Sequence, residues 1–306
     1  MKIGLNFATD IYHYTPEEQI AVAQKAEECG FNSIWTADHL VLAAQMPLRD
    51  MARPDQPLHL VDPKSPTARV ILPPDEPFPD VWVTFAWLAA ATKKLEFGTA
   101  IYLAALRHPM VSARAIGTLD YLSRGRVKVG VGVGWLPHEF ELVGVDFATR
   151  GRRTNEYVEV IRKLWNEKEP SHQGEFHSFG PTCMEPRPFT PGGPPIMIGG
   201  ETDIAFKRAA RIGDGWCGRF HTPDSLKAAL AKINAHRREF GTEKNRFIVQ
   251  TWVKHDTDEP TVRTMGEAGS DEVLVQLHES LPTAAKALEW LERASERFGA
   301  HRINGG

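Results

Sequence analysis

Short runs of apolar and β-branched residues alternate along the chain with longer stretches whose apolar positions recur at helical spacing. The first run covers residues 2–7. The segment after it carries a helix-start signal: Thr15 as N-cap, Pro16 at the first helical position and Glu18 to complete a capping box. Ile20, Ala23 and Ala26 then fall on one face, and Gly30 suits the left-handed position that ends a helix. The same alternation continues to the end. Strands are predicted at residues 33–36, 95–101, 127–131, 195–198, 215–217, 247–253 and 272–275. Helices are predicted at 81–91, 111–122, 154–167, 204–212 and 225–240, near Val262, and at 283–297. About eight strands alternating with helices imply βα units around a parallel sheet. The expected fold is therefore an α/β (β/α)8 TIM barrel, with all of residues 1–306 as one domain.

Two stretches break the rhythm. Residues 42–79 hold nine of the 22 prolines and show no periodicity, so they form neither regular helix nor sheet. This insertion follows the second strand, which puts it at the C-terminal face of a barrel, as a lid or as a disordered loop. Residues 171–194 form a second insertion before the fifth strand. There His172-Gln173-Gly174-Glu175-Phe176 reads as a small hairpin, or the stretch is a plain insertion.

Composition narrows the function. With 306 residues, 42% hydrophobic and 25% charged, the chain can bury a large core. The net charge of −3 and the lack of basic clusters argue against nucleic acid. No apolar stretch approaches the roughly 18 residues of a membrane span, and no signal peptide is evident, so a cytoplasmic protein is expected. Cys29, Cys183 and Cys217 are widely spaced and form no CxxC pair, which fits a reducing compartment rather than a zinc site or disulfides.

Four clusters carry candidate chemistry. Ile198-Gly199-Gly200-Glu201-Thr202 ends a strand and opens a helix, where backbone N–H groups and the helix dipole attract a phosphate. The bland reading is a tight turn with Thr202 as N-cap, and the charge of Glu201 counts slightly against an anion. In Gly130-Val131-Gly132-Val133-Gly134-Trp135 the glycines share one face of a strand. The spacing is GxGxG rather than a dinucleotide fingerprint. A flat ring lying against the stripe with Trp135 as a wall is the preferred reading, and tight barrel packing the alternative. Asp38-His39 follows the second strand, where catalytic groups of a barrel sit. His39 titrates near neutrality and can move a proton, and Asp38 can accept from a heterocycle N–H. Finally, Gly98-Thr99-Ala100-Ile101-Tyr102 ends the third strand, and Arg107 and His108 beyond it contact an anionic group or cap the next helix. The scattered histidines show no metal-ligand spacing, so no metal site is expected.

In this order and spacing the clusters resemble the luciferase-like monooxygenase superfamily over nearly the whole chain. The resemblance also takes in Gly30-Phe31-Asn32-Ser33-Ile34-Trp35, Leu119-Asp120-Tyr121-Leu122-Ser123-Arg124-Gly125-Arg126 and Ile212-Gly213-Asp214-Gly215-Trp216. It implies a flavin-type ring at the C-terminal mouth, lying on Ala100–Ile101, where relatives have a non-proline cis peptide. It also implies a cofactor phosphate at Gly199-Gly200. The run Gly132-Val133-Gly134-Trp135-Leu136-Pro137-His138-Glu139-Phe140, with Gly151-Arg152-Arg153 and Leu164-Trp165, is most similar to the coenzyme F420-dependent branch. Sugar-phosphate dehydrogenases of that branch have a glutamate where this chain has Trp135. That departure counts against a sugar-6-phosphate substrate and moves the proton donor elsewhere, to His39 first and Glu139 second. The resemblance thus implies hydride transfer between F420 and a small organic substrate, or alternatively an FMN-dependent monooxygenase supplied with reduced flavin by a partner reductase. Relatives often pair as homodimers through early barrel helices, and the same is expected here. A degenerate, non-catalytic flavin-binding barrel and an unrelated metal-dependent hydrolase are the remaining readings.

Overall fold

The computed structural model describes residues 1–42, 77–277 and 281–298. The proline-rich insertion lies outside the described residues except at its edges.

The expected alternation closes into a barrel. Its eight parallel strands are β1 (Lys2–Ala8), β2 (Ser33–Thr36), β3 (Glu96–Thr99), β5 (Val127–Gly132), β8 (Ile196–Gly199), β9 (Gly215–Gly218), β10 (Ile248–Lys254) and β11 (Glu272–Gln276). They pair in that order, and β11 returns to β1. The third strand is shorter than its apolar run. The chain leaves β3 at Thr99, crosses a cis Ala100–Ile101 peptide and resumes as β4 (Tyr102–Leu103) beside the end of β5.

The helices are α1 (Pro16–Glu28), α2 (Val81–Ala91), α3 (Pro109–Ser123), α4 (Pro137–Leu142), α5 (Arg150–Asn166), α6 (Asp203–Ile212), α7 (Pro223–Glu239), α8 (Glu259–Glu267) and α9 (Ala284–Phe298). Local chemistry sets their ends. At α1, Thr15 Oγ1 accepts from the Glu18 amide at 3.3 Å and the Thr15 amide donates to Glu18 Oε2 at 2.8 Å, closing the predicted capping box. Asp80 caps α2 by accepting from the amides of Trp82 and Val83. The main core lies between the outer barrel face and the helices, and Ala23 and Ala26 are fully buried in it. None of these helices is long and apolar enough to cross a membrane.

Several motif residues prove to be joints of this shell. Asp120 on α3 accepts from the Thr190 amide at 2.7 Å and its hydroxyl at 3.1 Å. Arg126 donates to the carbonyls of Ala89, Leu95 and Ser123. Asp214 accepts from Arg162 and the Ile196 amide. The second insertion contains the hairpin, with β6 (His172–Gln173) antiparallel to β7 (Ser178–Phe179). Its turn wraps the Glu156 carboxylate, which accepts from the amides of Glu175, Phe176 and His177. Burial alone would raise that carboxyl, but the amides hold it below its usual value.

Inside the barrel the layers differ in chemistry. At the N-terminal end, Lys128 Nζ lies 2.6 Å from Glu96 Oε2 and 2.8 Å from Glu272 Oε2. Ser33 Oγ donates to Glu272 Oε1 at 2.5 Å. Burial alone would lower Lys128, but the two carboxylates outweigh it and hold the ammonium above its ordinary value. Above this floor sits an apolar plug of Trp35, Ala100, Met197, Cys217, Trp252 and Leu274. The mouth opens beyond the plug.

Candidate active site

At the C-terminal mouth the chain leaves β2 and passes through Asp38 and His39. Asp38 is 3% exposed. Arg107 grips it through both carboxylate oxygens at 2.7 Å, and the Leu103 amide donates to it at 3.0 Å. Arg107 in turn lies over the Tyr102 ring, 4.5 Å from its centroid. Burial lowers an arginine, but the Asp38 carboxylate more than offsets this and raises Arg107 above its usual value. The contacts of Asp38 are thus made to protein: it pins the loop after β2 to the segment after β4. Of the two readings of the Arg107-His108 pair, capping is seen: His108 Nδ1 accepts from the Met110 amide at the start of α3, while Arg107 meets the protein's own Asp38.

His39 meets a carboxylate as well. Its Nδ1 lies 2.8 Å from Glu139 Oε2, and Glu139 is 1% exposed. The other oxygen of Glu139 accepts from the amides of Leu40 at 2.5 Å and Val41 at 3.4 Å. The two sequence candidates for proton transfer, 100 residues apart, therefore form one buried pair. Glu139 reaches it from α4, a helix not anticipated from sequence, which Phe140 anchors among Leu103, Ala105 and Leu106. Edges of Phe78 and Trp135 wall the imidazole, at ring-centroid distances of 5.0 and 6.3 Å. A carboxylate at Nδ1 favours the proton there and leaves Nε2 as the nitrogen for proton exchange.

The glycine stripe departs from its preferred reading. A Cβ on Gly132 would stand 1.8 Å from Ile101 Cδ1, and one on Gly130 would stand 2.1 Å from the Thr99 carbonyl oxygen. Gly134 abuts Phe140. The positions a Cβ would take along the stripe are filled by the chain itself, so these glycines serve tight barrel packing. Val133 and Trp135 continue past the stripe and are half-buried. The Ala100–Ile101 expectation fares differently: the bond is cis, and Ile101 also packs on Gly199, 3.0 Å from where its Cβ would be. The stripe seats Ile101, and Ile101 presents a small, partly exposed apolar ledge at the mouth.

The Gly199-Gly200 turn sits beside that ledge. Gly200 has φ +124, a conformation that L side chains rarely adopt. The Trp216 indole holds its carbonyl at 2.8 Å. Thr202 is the N-cap of α6, accepting from the Ala205 amide at 3.3 Å. Glu201 turns to the next loop, accepting from the Arg219 amide at 2.7 Å and meeting His221 Nε2 at 2.9 Å. The helix start keeps its anion-attracting character. An apolar ledge, a glycine turn on a helix N-terminus and a carboxylate-backed histidine around one mouth suit a flat heterocycle bearing a phosphate. A cavity of about 720 Å³ lies elsewhere, at the N-terminal ends of β9 and β10. It is lined by Arg162, His172, Asp214 and Arg237, and of these Arg162 donates to Asp214 and Arg237 to the Asn245 carbonyl.

The sequence matches the model of the luciferase-like monooxygenase family over residues 1–298. The chain belongs to the luciferase-like monooxygenase family. Membership places it among oxidoreductase enzymes. An uncharacterized protein of Mycobacterium tuberculosis (strain ATCC 25618 / H37Rv) is 33% identical over 233 residues, covering 76% of this chain and 74% of the relative. An F420-dependent glucose-6-phosphate dehydrogenase of Kineococcus radiotolerans is 32% identical over 218 residues, covering 70% of this chain and 56% of the relative. Among solved structures, the monooxygenase RslO1 from Streptomyces bottropensis superposes with a TM-score of 0.73 at 19% identity, covering 99% of this chain and 100% of that one. An F420-dependent secondary alcohol dehydrogenase in complex with an F420-acetone adduct superposes with a TM-score of 0.72 at 19% identity, covering 98% and 99%. Within the luciferase-like monooxygenase family these structural likenesses speak for the barrel, and the geometry above for the position of its mouth.

Proposed function

We propose that this protein is a coenzyme F420-dependent oxidoreductase that transfers a hydride between the deazaflavin and a small organic substrate, with His39 moving the accompanying proton. The observation that carries this reading is the buried His39–Glu139 pair at the mouth. Hydride transfer to or from a carbon bearing oxygen needs a partner for the oxygen's proton, and a carboxylate-backed imidazole is suited to that task. The relative from Kineococcus supports the choice of F420.

When bound, the deazaflavin supplies a carbon that accepts or returns a hydride without readily activating oxygen. The ledge of Ala100 and Ile101 would support its ring, and the amides at Gly199, Gly200, Glu201 and Thr202 would hold its phosphate. In the oxidising direction, His39 Nε2 takes the proton that the substrate oxygen releases as its carbon loses hydride. In the reducing direction it returns that proton. Glu139 keeps Nδ1 protonated and steadies the imidazolium that forms. Asp38, Arg107 and Leu103 hold the backbone from which His39 projects. Trp135 and Phe78 narrow the access of water to the ring. The substrate partner is a small molecule.

The second reading is an FMN-dependent monooxygenase served by a reductase, favoured by the family's namesake chemistry. Titrating cofactor-free protein separately with F420 and FMN, followed by fluorescence, separates the two. Saturable F420 binding with weak FMN binding is expected. FMN preference together with substrate-dependent oxygen uptake would replace the first reading by the second.

A further inference from the structure

On the His39 side of the mouth each charged group has a partner. The opposite side differs. β9 lies four strands from β2 in either direction around the barrel, so Arg219, the first residue after β9, stands across the mouth from the His39 loop. Its amide is fixed by Glu201. Its guanidinium lies over the Trp252 ring at 5.2 Å and the Phe220 ring at 5.8 Å, and those two rings meet edge to face at 5.7 Å. Arg219 Nε is buried without a hydrogen-bond partner, and among the described residues the guanidinium makes no ion pair. Trp252 is 8% exposed, and its indole N–H is likewise buried with no acceptor.

Two buried donors left without acceptors are costly, more so where the donor is charged. Glu201 does not relieve them, because its carboxylate is engaged by the Arg219 amide and by His221. A stacked guanidinium beside an indole N–H offers what an oxyanion needs: a fixed positive charge, directional donors and a water-poor wall. A further neutral apolar group would leave both donors unpaired.

We propose that Arg219 and the Trp252 indole form a seat for an anionic oxygen group, a carboxylate or phosphate, on a molecule bound at the mouth. The inference rests on the reading of this mouth as the cofactor and substrate site. Two sources share the chemistry: an acidic substrate held opposite His39, and the cofactor's own phosphate or acidic tail.

Proton–nitrogen correlation spectra of cofactor-free protein test it, with the Arg219 Nε–H and Trp252 indole signals identified by Arg219→Lys and Trp252→Phe. Inorganic phosphate and acetate are titrated at constant ionic strength against chloride. Both signals are expected to move saturably with phosphate or acetate, and the affinity read on Trp252 to fall about tenfold or more in Arg219→Gln. Arg219→Lys, which keeps the charge, is expected to retain part of the affinity and controls for folding. If acetate still moves both signals after saturation with F420 or FMN, the seat serves the substrate. If FMN moves them, riboflavin does not, and acetate no longer binds, it serves the cofactor phosphate. Absence of a saturable shift, or an unchanged Trp252 titration in Arg219→Gln, overturns the seat. Failure of the proposed function is read independently, as loss of F420 and FMN binding by fluorescence.

Discussion

The charged groups inside the two ends of this barrel are partnered to different degrees. At the floor, Lys128, Glu96, Glu272 and Ser33 satisfy one another within 2.5–2.8 Å. At the mouth, His39 is paired on one nitrogen only, and Arg219 Nε and Trp252 Nε1 lack acceptors among the described residues. A closed network holds strands together and has nothing left to offer a ligand. An open one retains donors and acceptors at a cost in stability that a bound molecule can relieve.

The largest expected effects separate the two ends most clearly. Lys128→Ala leaves the buried Glu272 carboxylate without its cation and is expected to destabilise the fold by about 3–5 kcal/mol in urea unfolding, with cofactor affinity of the remaining folded protein unchanged. His39→Ala is expected to act mainly on rate, lowering kcat by about 10²–10⁴-fold with cofactor affinity unchanged and, because Glu139 keeps the Leu40 and Val41 amides, with a smaller loss of stability than Lys128→Ala. Wild-type turnover in that variant, with a proven substrate, would remove His39 from the proton path. Next in size is Gly132→Ala. Its Cβ displaces Ile101, so a loss of about 1–3 kcal/mol is expected together with weaker cofactor binding, and adding Ile101→Val should recover much of the stability. Glu139→Gln is expected to lower kcat about tenfold with cofactor affinity unchanged, because an amide steadies the imidazolium less than a carboxylate does. An unchanged kcat would reduce Glu139 to a packing role.

The smallest effect is a pH dependence that belongs to the floor. Burial would raise Glu96, but Lys128 and Lys2 hold its carboxyl below the usual value. A depressed carboxyl contributes stability above its unfolded-state pKa and loses it as pH falls through the folded-state value. Lys128 is raised, so its contribution is present at neutral pH and fades only as pH climbs through its raised value. Unfolding of wild type and Glu96→Gln should therefore differ at neutral pH and converge in acid. A constant gap across that range would show that Glu96 is not held by charge.

Much of the fold was legible in the residues because its signals are local. A capping box, a proline at a first helical position and the period of apolar side chains each depend on neighbours within a turn, and the α1 cap and the alternation into eight strands follow from them. The position of Asp38-His39 after the second strand, the glycine turn before α6 and the cis Ala100–Ile101 bond were also within reach, the last through family resemblance. The content of the site was less so. Asp38 reads in isolation as an acceptor for a ligand, and only the packing of β2 against the segment after β4 hands both its oxygens to Arg107. Glu139 reads as a distant second candidate, until a six-residue helix carries it to Nδ1 of His39.

What the sequence determined by itself, then, is the run of elements, their caps and the residue types at the strand ends. Tertiary structure alone decided who meets whom: Ile101 seated on the glycine stripe, one buried His39–Glu139 pair, and Arg219 stacked across the mouth. The physical reason is that barrel closure brings side chains from strands far apart in the chain to within hydrogen-bonding distance, and no pattern of neighbouring residues encodes which of them arrive with their partners already supplied.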